Sequence, residues 1–156
     1  MRKIKKNIKI YLPDIKYKSK IITYMSNLIM RKGKKLLALK ILDKALKIIK
    51  IKFTKVNIKP LKILKIAIKN ASPEMEIKNR KIGGSSYNIP IRLNEKKKMF
   101  LAIRSLIINS KKRKNKSMAE KLANEIISTY KGIGETIKKK QEINKVAESN
   151  KVFTYY

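Results

Sequence analysis

The chain is 156 residues long, which suits one modest domain with a single apolar core. Its 42 lysines and arginines stand against only 10 carboxylates, so the formal net charge of +32 disfavours a free compact state and attracts polyanions. Cysteine is absent, which excludes disulfides and thiolate chemistry. Histidine, the commonest general base and metal ligand, is absent as well. Because 43% of the residues are apolar, the chain is not expected to be a disordered basic tail.

A basic arm is predicted over residues 1–18. Its charges interrupt any apolar stretch of the kind that a signal peptide needs. The longest uncharged windows, such as "IITYMSNLIM" (21–30), have about half of the roughly twenty apolar residues that a membrane helix requires. We therefore expect no cleaved targeting segment and no membrane span. The cations of the arm are Arg2, Lys3, Lys5, Lys6 and Lys9.

Three amphipathic helices are predicted after the arm. The first begins with Ser19 as a candidate N-cap and ends at the stop signal "RKG" (31–33). The third covers 57–70, with Pro60 tolerated in its first turn. The second covers 34–52, and a period of 3.6 residues places these apolar residues inward: Leu37, Ile41, Ala45, Ile48 and Ile49.

A β-hairpin is predicted at about 73–92, where the apolar period changes to two. Two alternating runs flank Gly83 and Gly84, and glycine supplies the positive φ of a tight hairpin turn. Pro90 cannot donate to a ladder, so its strand has to be an edge. A lone two-stranded ribbon is marginal by itself and needs helices or a ligand to hold it.

Three further helices complete the prediction, at about 94–109, 117–130 and 135–150. Ser117 and Glu120 have the spacing of a capping box at the start of the fifth helix. The segment before them, "KKRKNK" (111–116), is predicted to be a basic loop. The fold class is therefore mainly α: a single helical domain over 19–156 with six helices and the ribbon inserted between the third and fourth.

Groups that could carry catalysis are sparse. Glu74 and Glu76 would share a strand face, as paired catalytic carboxylates do, but Lys78 and Arg80 continue that face and favour a row of charge pairs along the ribbon. The sequence "GIG" (132–134) lacks the third glycine and the preceding strand of a dinucleotide-binding turn. We therefore expect no enzyme activity, no cofactor and no metal site.

Beyond the arm, the cations cluster at the first helix junction, along the ribbon and in the 111–116 loop. A charge run is often only a solvated face, and an A+T-rich coding bias also favours lysine. Cations in arms, turns and ribbons nevertheless lack helical carboxylate neighbours, and these shapes enter nucleic-acid grooves. The low aromatic content, without tryptophan, disfavours a base-stacking sheet and favours recognition of folded nucleic acid by shape and backbone.

Five ordered blocks carry a resemblance that covers nearly the whole chain. The longest block is "SPEMEIKNRKIGGSSYNIPI" (72–91). The others are "LPD" (12–14), "GKK" (33–35), "KSMAEKLANEI" (116–126) and "KKKQEINKVAESNKVFTYY" (138–156). Together they resemble the bacterial-type small-subunit ribosomal protein seven family, whose hairpin pattern runs P-x-x-E-x-K-x-R-x-x-G-G-x-x-Y-x-x-P.

The resemblance implies six helices with a β-ribbon and a structural role in the head of the small ribosomal subunit. It implies binding to the 3′ major domain of small-subunit ribosomal RNA (rRNA) and nucleation of head assembly. It also implies that the ribbon lies near the exit-site transfer RNA (tRNA), the messenger RNA (mRNA) exit path and ribosomal protein eleven.

The resemblance also implies site residues, position by position. The rRNA-binding set is Arg2, Lys3, Lys5, Lys6, Lys9, Lys34, Lys35, Lys78, Arg80, Arg92, Lys111, Lys112, Arg113, Lys114 and Lys116. The tip that faces tRNA and mRNA is Lys81, Ile82, Gly83, Gly84 and Ser85. A side chain at position 83 or 84 would obstruct the close approach of RNA.

Two other classes stay open as alternatives. A DNA-compacting architectural protein would also be small, lysine-rich and ribbon-bearing, although we would then expect an obvious dimerisation seam. A membrane-active basic protein would need a helix with a continuous cationic face. We expect instead a protein that is not a homo-oligomer, in the ribosome of a plastid-derived organelle or, alternatively, in the cytoplasm of an A+T-rich bacterium.

Overall fold

The computed structural model describes residues 12–54 and 58–152. Within that part of the chain, six helices and one antiparallel hairpin follow one another, with the hairpin between the third and fourth helices. The mainly α class with an inserted ribbon is therefore confirmed. The elements are α1 (Lys20–Ile29), α2 (Lys35–Lys52), α3 (Pro60–Ala71), β1 (Met75–Ile82), β2 (Ser85–Arg92), α4 (Glu95–Lys112), α5 (Met118–Tyr130) and α6 (Glu135–Ser149).

The described chain forms two compact units, which divide within α2 between Leu42 and Asp43. In the first unit, local hydrogen bonds hold the segment before α1. The carbonyl of Leu12 accepts a hydrogen bond from Thr23 Oγ1 at 2.9 Å, and Asp14 Oδ2 accepts from two backbone N–H groups, each at 3.1 Å. The predicted boundary between an arm (1–18) and a single helical domain (19–156) stays a prediction.

The second unit has its core between α3, α4, α5 and α6, where α3 packs against α4 and α5, and α4 packs against α5. Fully burying one large aliphatic side chain contributes about 1.5–3 kcal/mol, so the buried side chains between these helices are the main source of stability. The end of α2 joins the same unit, because the Phe53 ring meets Tyr130 edge-on at 5.5 Å. The largest enclosed core side chains on α3, α4 and α5 are Ile63, Leu64, Ile103, Leu106, Leu122 and Ile126.

The inward face of α2 differs from the predicted one. Leu37 is 54% exposed, so its prediction as a core residue is wrong, and Ile41 and Ile48 are only half-buried. Residues 36–39 are all apolar, so the local pattern leaves the phase of the helix open and tertiary packing decides it. The buried positions are Ala38, Leu42, Ala45, Leu46 and Ile49.

Two helix boundaries also differ from the prediction. The predicted start of the third helix, Asn57, lies outside the described residues, and α3 begins at Pro60, because proline fits the first helical position and the residue before it stays extended. The fourth helix does not end at 109 but continues through Lys111 and Lys112. The free carbonyl groups at the C-terminal end of a helix carry partial negative charge and stabilise cations in the last turn. Two of the predicted loop lysines, Lys111 and Lys112, are therefore helical.

Two predicted N-caps behave differently. Ser117 accepts a hydrogen bond on its Oγ from the N–H of Glu120 at 3.2 Å, which confirms it as the N-cap of α5. Ser19 occupies the N-cap position of α1, but its side chain makes no capping hydrogen bond. None of the described helices is long and apolar enough to cross a membrane.

Candidate nucleic-acid interface

Gly83 and Gly84 form the two-residue turn at the tip of the ribbon. The register pairs Ile82 with Ser85 across the turn, and φ is 57° at Gly83 and 88° at Gly84. Both values lie in the left-handed region, as a type I′ hairpin turn requires. A Cβ at either position would meet nothing within 4 Å, so the protein itself needs glycine here for backbone conformation and not for space.

Burial along the ribbon follows distance from the helices. Ile89 and Pro90 at the base are buried, and residues 75–77 are half-buried. Residues 78–81 and 83–86 are exposed. Because β1 contacts α6, the base is held while the outer half extends into solvent. At about 3.3 Å per residue, four strand residues on each side give this outer half a reach of about 13 Å.

The outer half of the ribbon carries positive charge without a carboxylate. Lys78, Arg80 and Lys81 are all exposed, and the sequence from 77 to 92 contains no Asp or Glu. Arg92, at the base of β2, is exposed as well. Exposed cations can contact phosphates and release their condensed counterions, so this surface suits a polyanion.

The predicted row of charge pairs along the ribbon differs from the structure at Glu76. Glu76 forms its ion pair with Lys97 in the first turn of α4, and Glu74 precedes β1. The antiparallel register places Ile89, not a carboxylate, directly opposite Lys78. Residues directly opposite share a face, so Lys78 lies beside Ile89 and Arg80 beside Tyr87, while Lys81 lies opposite Ser86.

A second exposed basic element is the turn between α1 and α2, residues 31–35, which lies in the first compact unit. The N–H of Lys34 donates to the carbonyl of Arg31 at 3.1 Å, while φ is 50° at Lys32 and 73° at Gly33. This is the same turn type as the ribbon tip, but with lysine at one left-handed position, which costs about 1–2 kcal/mol of backbone strain. Lys34 and Lys35, both predicted to bind RNA, are exposed here.

The third basic element is the α4–α5 segment, residues 111–116. Lys111 and Lys112 end α4, whereas Lys114 and Lys116 lie in the connection, and all four are exposed. Arg113 differs from its neighbours because it is half-buried and its guanidinium contacts the protein. Its Nε donates to Glu125 Oε2 at 2.6 Å.

Glu125 is a fully buried carboxylate that the sequence analysis did not single out. Its Oε1 accepts hydrogen bonds from the Thr136 N–H at 3.3 Å and from Thr136 Oγ1 at 2.6 Å. The available signal was its position on α5, because Glu125 shares one helical stripe with Leu122 and Thr129. A carboxylate on an otherwise inward stripe requires a cationic partner, and Arg113 is that partner.

The predicted site residues thus fall on separate elements. The five arm cations and the Ile82 side chain lie outside the part of the chain that the structure describes. Lys34 and Lys35 lie in the first unit, and the ribbon and the 111–116 segment lie in the second. Among residues 12–54 and 58–152, no group of three or more acidic, His or Cys side chains is placed to hold a metal ion.

Comparisons with known proteins agree with this architecture. A family model described as Ribosomal protein S7p/S5e matches residues 1–151. The small ribosomal subunit protein uS7 of Thermodesulfovibrio yellowstonii is 41% identical over 145 residues, which cover 93% of this chain and 91% of the relative. The protein of the same name from Metamycoplasma arthritidis is 43% identical over 155 residues, covering 99% and 97%. The one from Pelotomaculum thermopropionicum is 43% identical over 145 residues, covering 93% and 91%.

Helices with exposed basic turns and a ribbon, together with this match, define the chain as a ribosomal protein. More particularly, it belongs to the ribosomal protein S7p/S5e family. The family resemblance predicted from the hairpin and the four other blocks is confirmed.

Proposed function

We propose that this protein is a structural constituent of the small ribosomal subunit that binds the 3′ major domain of small-subunit rRNA and nucleates assembly of the head. The observation that carries the proposal is the ribbon, whose base is buried against the helices while its outer half presents Lys78, Arg80 and Lys81 to solvent. The assignment to the small subunit is supported by the relatives, each of which is called a small ribosomal subunit protein.

The binding mechanism is neutralisation of RNA phosphates. Each cation that contacts a phosphate releases condensed counterions, so the logarithm of affinity falls with the logarithm of salt concentration, by about 0.7–0.9 per contact. The ribbon, the basic turn (31–35) and the exposed lysines of the 111–116 segment supply these contacts from separate elements. Within each folded element, the backbone sets the spacing of the cations, and this spacing provides the preference for an RNA of matching shape.

The ribbon tip, Lys81 to Ser85, faces the exit-site tRNA and the mRNA exit path, near ribosomal protein eleven. Gly83 and Gly84 support this placement, because a turn without Cβ atoms lets its backbone N–H groups come close to a phosphate. The arm cations Arg2, Lys3, Lys5, Lys6 and Lys9, with Lys34 and Lys35, are proposed to contact rRNA as well.

A competition assay at two salt concentrations tests the proposal. The 3′ major domain of small-subunit rRNA competes against duplex DNA of equal length and an unrelated structured RNA. We expect preference for the ribosomal fragment to persist at the higher salt concentration, because specific geometry outlasts the purely electrostatic component. The double variant Arg80→Ala/Arg92→Ala should lose much of that preference.

The matched control is Lys62→Ala/Lys65→Ala, which removes the same charge from the exposed face of α3. It should keep the preference for the ribosomal fragment. Equal affinity of the unchanged protein for all three nucleic acids, lost together as salt rises, would contradict the proposal and favour the DNA-compacting alternative.

The proposed location is the ribosome of a plastid-derived organelle, with the cytoplasm of an A+T-rich bacterium as the alternative. The support is the abundance of lysine, isoleucine and asparagine, whose codons are rich in A and T. The relatives reported above are bacterial. Detection of the protein in small subunits isolated from plastids would support the first location, whereas an origin in a bacterial culture would establish the second.

A further inference from the structure

We propose that Arg113 is a positioning residue: its ion pair with buried Glu125 fixes the α4–α5 connection so that the neighbouring lysines face RNA, and Arg113 itself contacts no phosphate. This rests on the proposed rRNA binding and reassigns one residue of the predicted RNA-binding set. The lysines concerned are Lys111, Lys112, Lys114 and Lys116.

The contacts of the guanidinium are the first support. Arg113 Nε donates to Glu125 Oε2 at 2.6 Å, and Arg113 Nη2 donates to Ser128 Oγ at 2.7 Å. Ser128 Oγ in turn donates to the carbonyl of Asn124 at 2.9 Å. Two directed donors therefore hold the planar group against α5, a geometry that arginine provides and lysine does not.

The surroundings of Glu125 are the second support. Its other oxygen holds the first turn of α6 through Thr136, whose Oγ1 also accepts a hydrogen bond from Asn109 Nδ2 of α4 at 3.2 Å. The backbone of Gly134 packs closely against this network, because a Cβ added at Gly134 would lie only 3.1 Å from Ser128 Cβ. One carboxylate on α5 thus contacts the residue that ends α4 and the first turn of α6.

The cost of moving Arg113 away is the third support. Glu125 is 0% exposed, and Arg113 is the cation that pairs with it. If the guanidinium moved to a phosphate, a buried carboxylate would lose its counter-charge, which is strongly unfavourable. A phosphate gains much less from one more surface cation, so Arg113 stays on α5 when RNA binds.

The connection is short, and this links the ion pair to the lysines. The N–H of Arg113 donates to the carbonyl of Ser110 at 3.2 Å at the end of α4, and Ser117 is the N-cap of α5. Only residues 114–116 lie between these two fixed ends. Holding them before RNA arrives reduces the conformational freedom lost on binding, so the ion pair raises affinity without touching RNA.

The experiment uses the full chain and the ribosomal fragment, with three variants: Arg113→Gln, Glu125→Gln and Lys114→Gln. For Lys114→Gln, we expect the salt slope to fall by about 0.7–0.9, the value for one phosphate contact. For Arg113→Gln and Glu125→Gln, we expect affinity to fall about tenfold or more, since several lysine contacts are displaced together. Hydrogen exchange of the 113–117 amides should rise in both before RNA is added.

Glu125→Gln is the decisive variant because it removes a buried negative charge and no solvent-facing cation. If it bound RNA as tightly as the unchanged chain, or more tightly, while Arg113→Gln lost one contact from the salt slope, Arg113 would be a direct phosphate ligand. Lowered melting temperatures with unchanged RNA affinity and slope in the folded variants would make the ion pair purely structural. Either result would overturn the proposal.

Two milder variants apply if a buried substitution prevents folding. Ser128→Ala removes one of the two guanidinium acceptors and should weaken RNA binding less than Arg113→Gln does. Arg113→Lys keeps a cation and should restore only part of the affinity. Failure of the proposed rRNA binding is distinguishable from failure of the role given to Arg113. In the first case the unchanged chain would show no preference for the ribosomal fragment, although hydrogen exchange would still show slow exchange of the 113–117 amides.

Discussion

The ribbon and the α4–α5 segment present similar charge on different kinds of support. On the ribbon, a two-residue glycine turn and a ladder between two strands set the positions of the cations, and the outer half is exposed. On the α4–α5 segment, an ion pair between Arg113 and the fully buried Glu125 sets those positions. The turn and the ladder of the ribbon connect residues that are close in the sequence, whereas Glu125 connects residues of three helices.

This difference predicts how each region responds to a mutation. A change in the ribbon turn should open the ribbon locally and leave the helical core intact, because few buried contacts depend on the tip. A change in the ion pair should destabilise the whole second unit, because the pair belongs to its core. The same charge pattern therefore gives two separable phenotypes.

The largest effect is expected for Glu125→Ala. This variant leaves Arg113 without its counter-ion and the Thr136 donors without their acceptor, and breaking such a buried pair costs about 3–5 kcal/mol. Chemical denaturation of the full chain measures the free energy of unfolding. Glu142→Ala, on the exposed side of α6, is the matched control and should change it by about 0.5 kcal/mol or less. Equal losses in the two variants would contradict the assigned role of Glu125.

A smaller and local effect is expected for Gly84→Ala in the ribbon turn. A side chain at φ 88° costs about 1–2 kcal/mol, although space for the Cβ is available. Hydrogen exchange should rise at residues 78–87 while the denaturation midpoint of the helical body stays nearly unchanged. Ser85→Ala is the control, since it lies outside the turn. A global loss of stability in Gly84→Ala would show that the ribbon is not energetically separate.

The smallest effect distinguishes the two N-caps. Ser117→Ala removes a side-chain hydrogen bond to the N–H of Glu120 and should cost about 1 kcal/mol. Ser19→Ala removes no such bond and should cost only a few tenths, about the scale of an ordinary surface change. Denaturation of both variants under one condition checks the ordering, and the reverse ordering would contradict the observed capping.

The local features of this molecule were readable from the sequence. The double glycine between alternating runs predicted the hairpin at its observed position, and Ser117 with Glu120 predicted the start of α5. Both rest on interactions between residues a few positions apart, where turn and capping preferences are strong. Where the structure describes the predicted lysines, their exposure follows in the same way, since charged side chains are rarely buried.

The features that were missed depend on tertiary packing. A run of cations does not reveal that Arg113 alone has a partner 12 residues away, because its neighbours look alike in the sequence. Four consecutive apolar residues at the start of α2 fit more than one inward face of that helix, so Leu37 was wrongly predicted to be buried. The ion pair of Glu76 with Lys97 joins the ribbon to α4, a contact that strand periodicity cannot predict.

The most direct test of ribbon binding to rRNA uses the absence of cysteine from the chain. Ser86→Cys places a single thiol next to the tip, in the exposed outer half of the ribbon, and Glu142→Cys places one on α6 as the control. An iron chelate tethered to each thiol generates hydroxyl radicals that cleave nearby RNA backbone in the bound ribosomal fragment. We expect strong, localised cleavage from position 86 and weak cleavage from position 142. Cleavage from the tip no stronger than from the control would contradict the account.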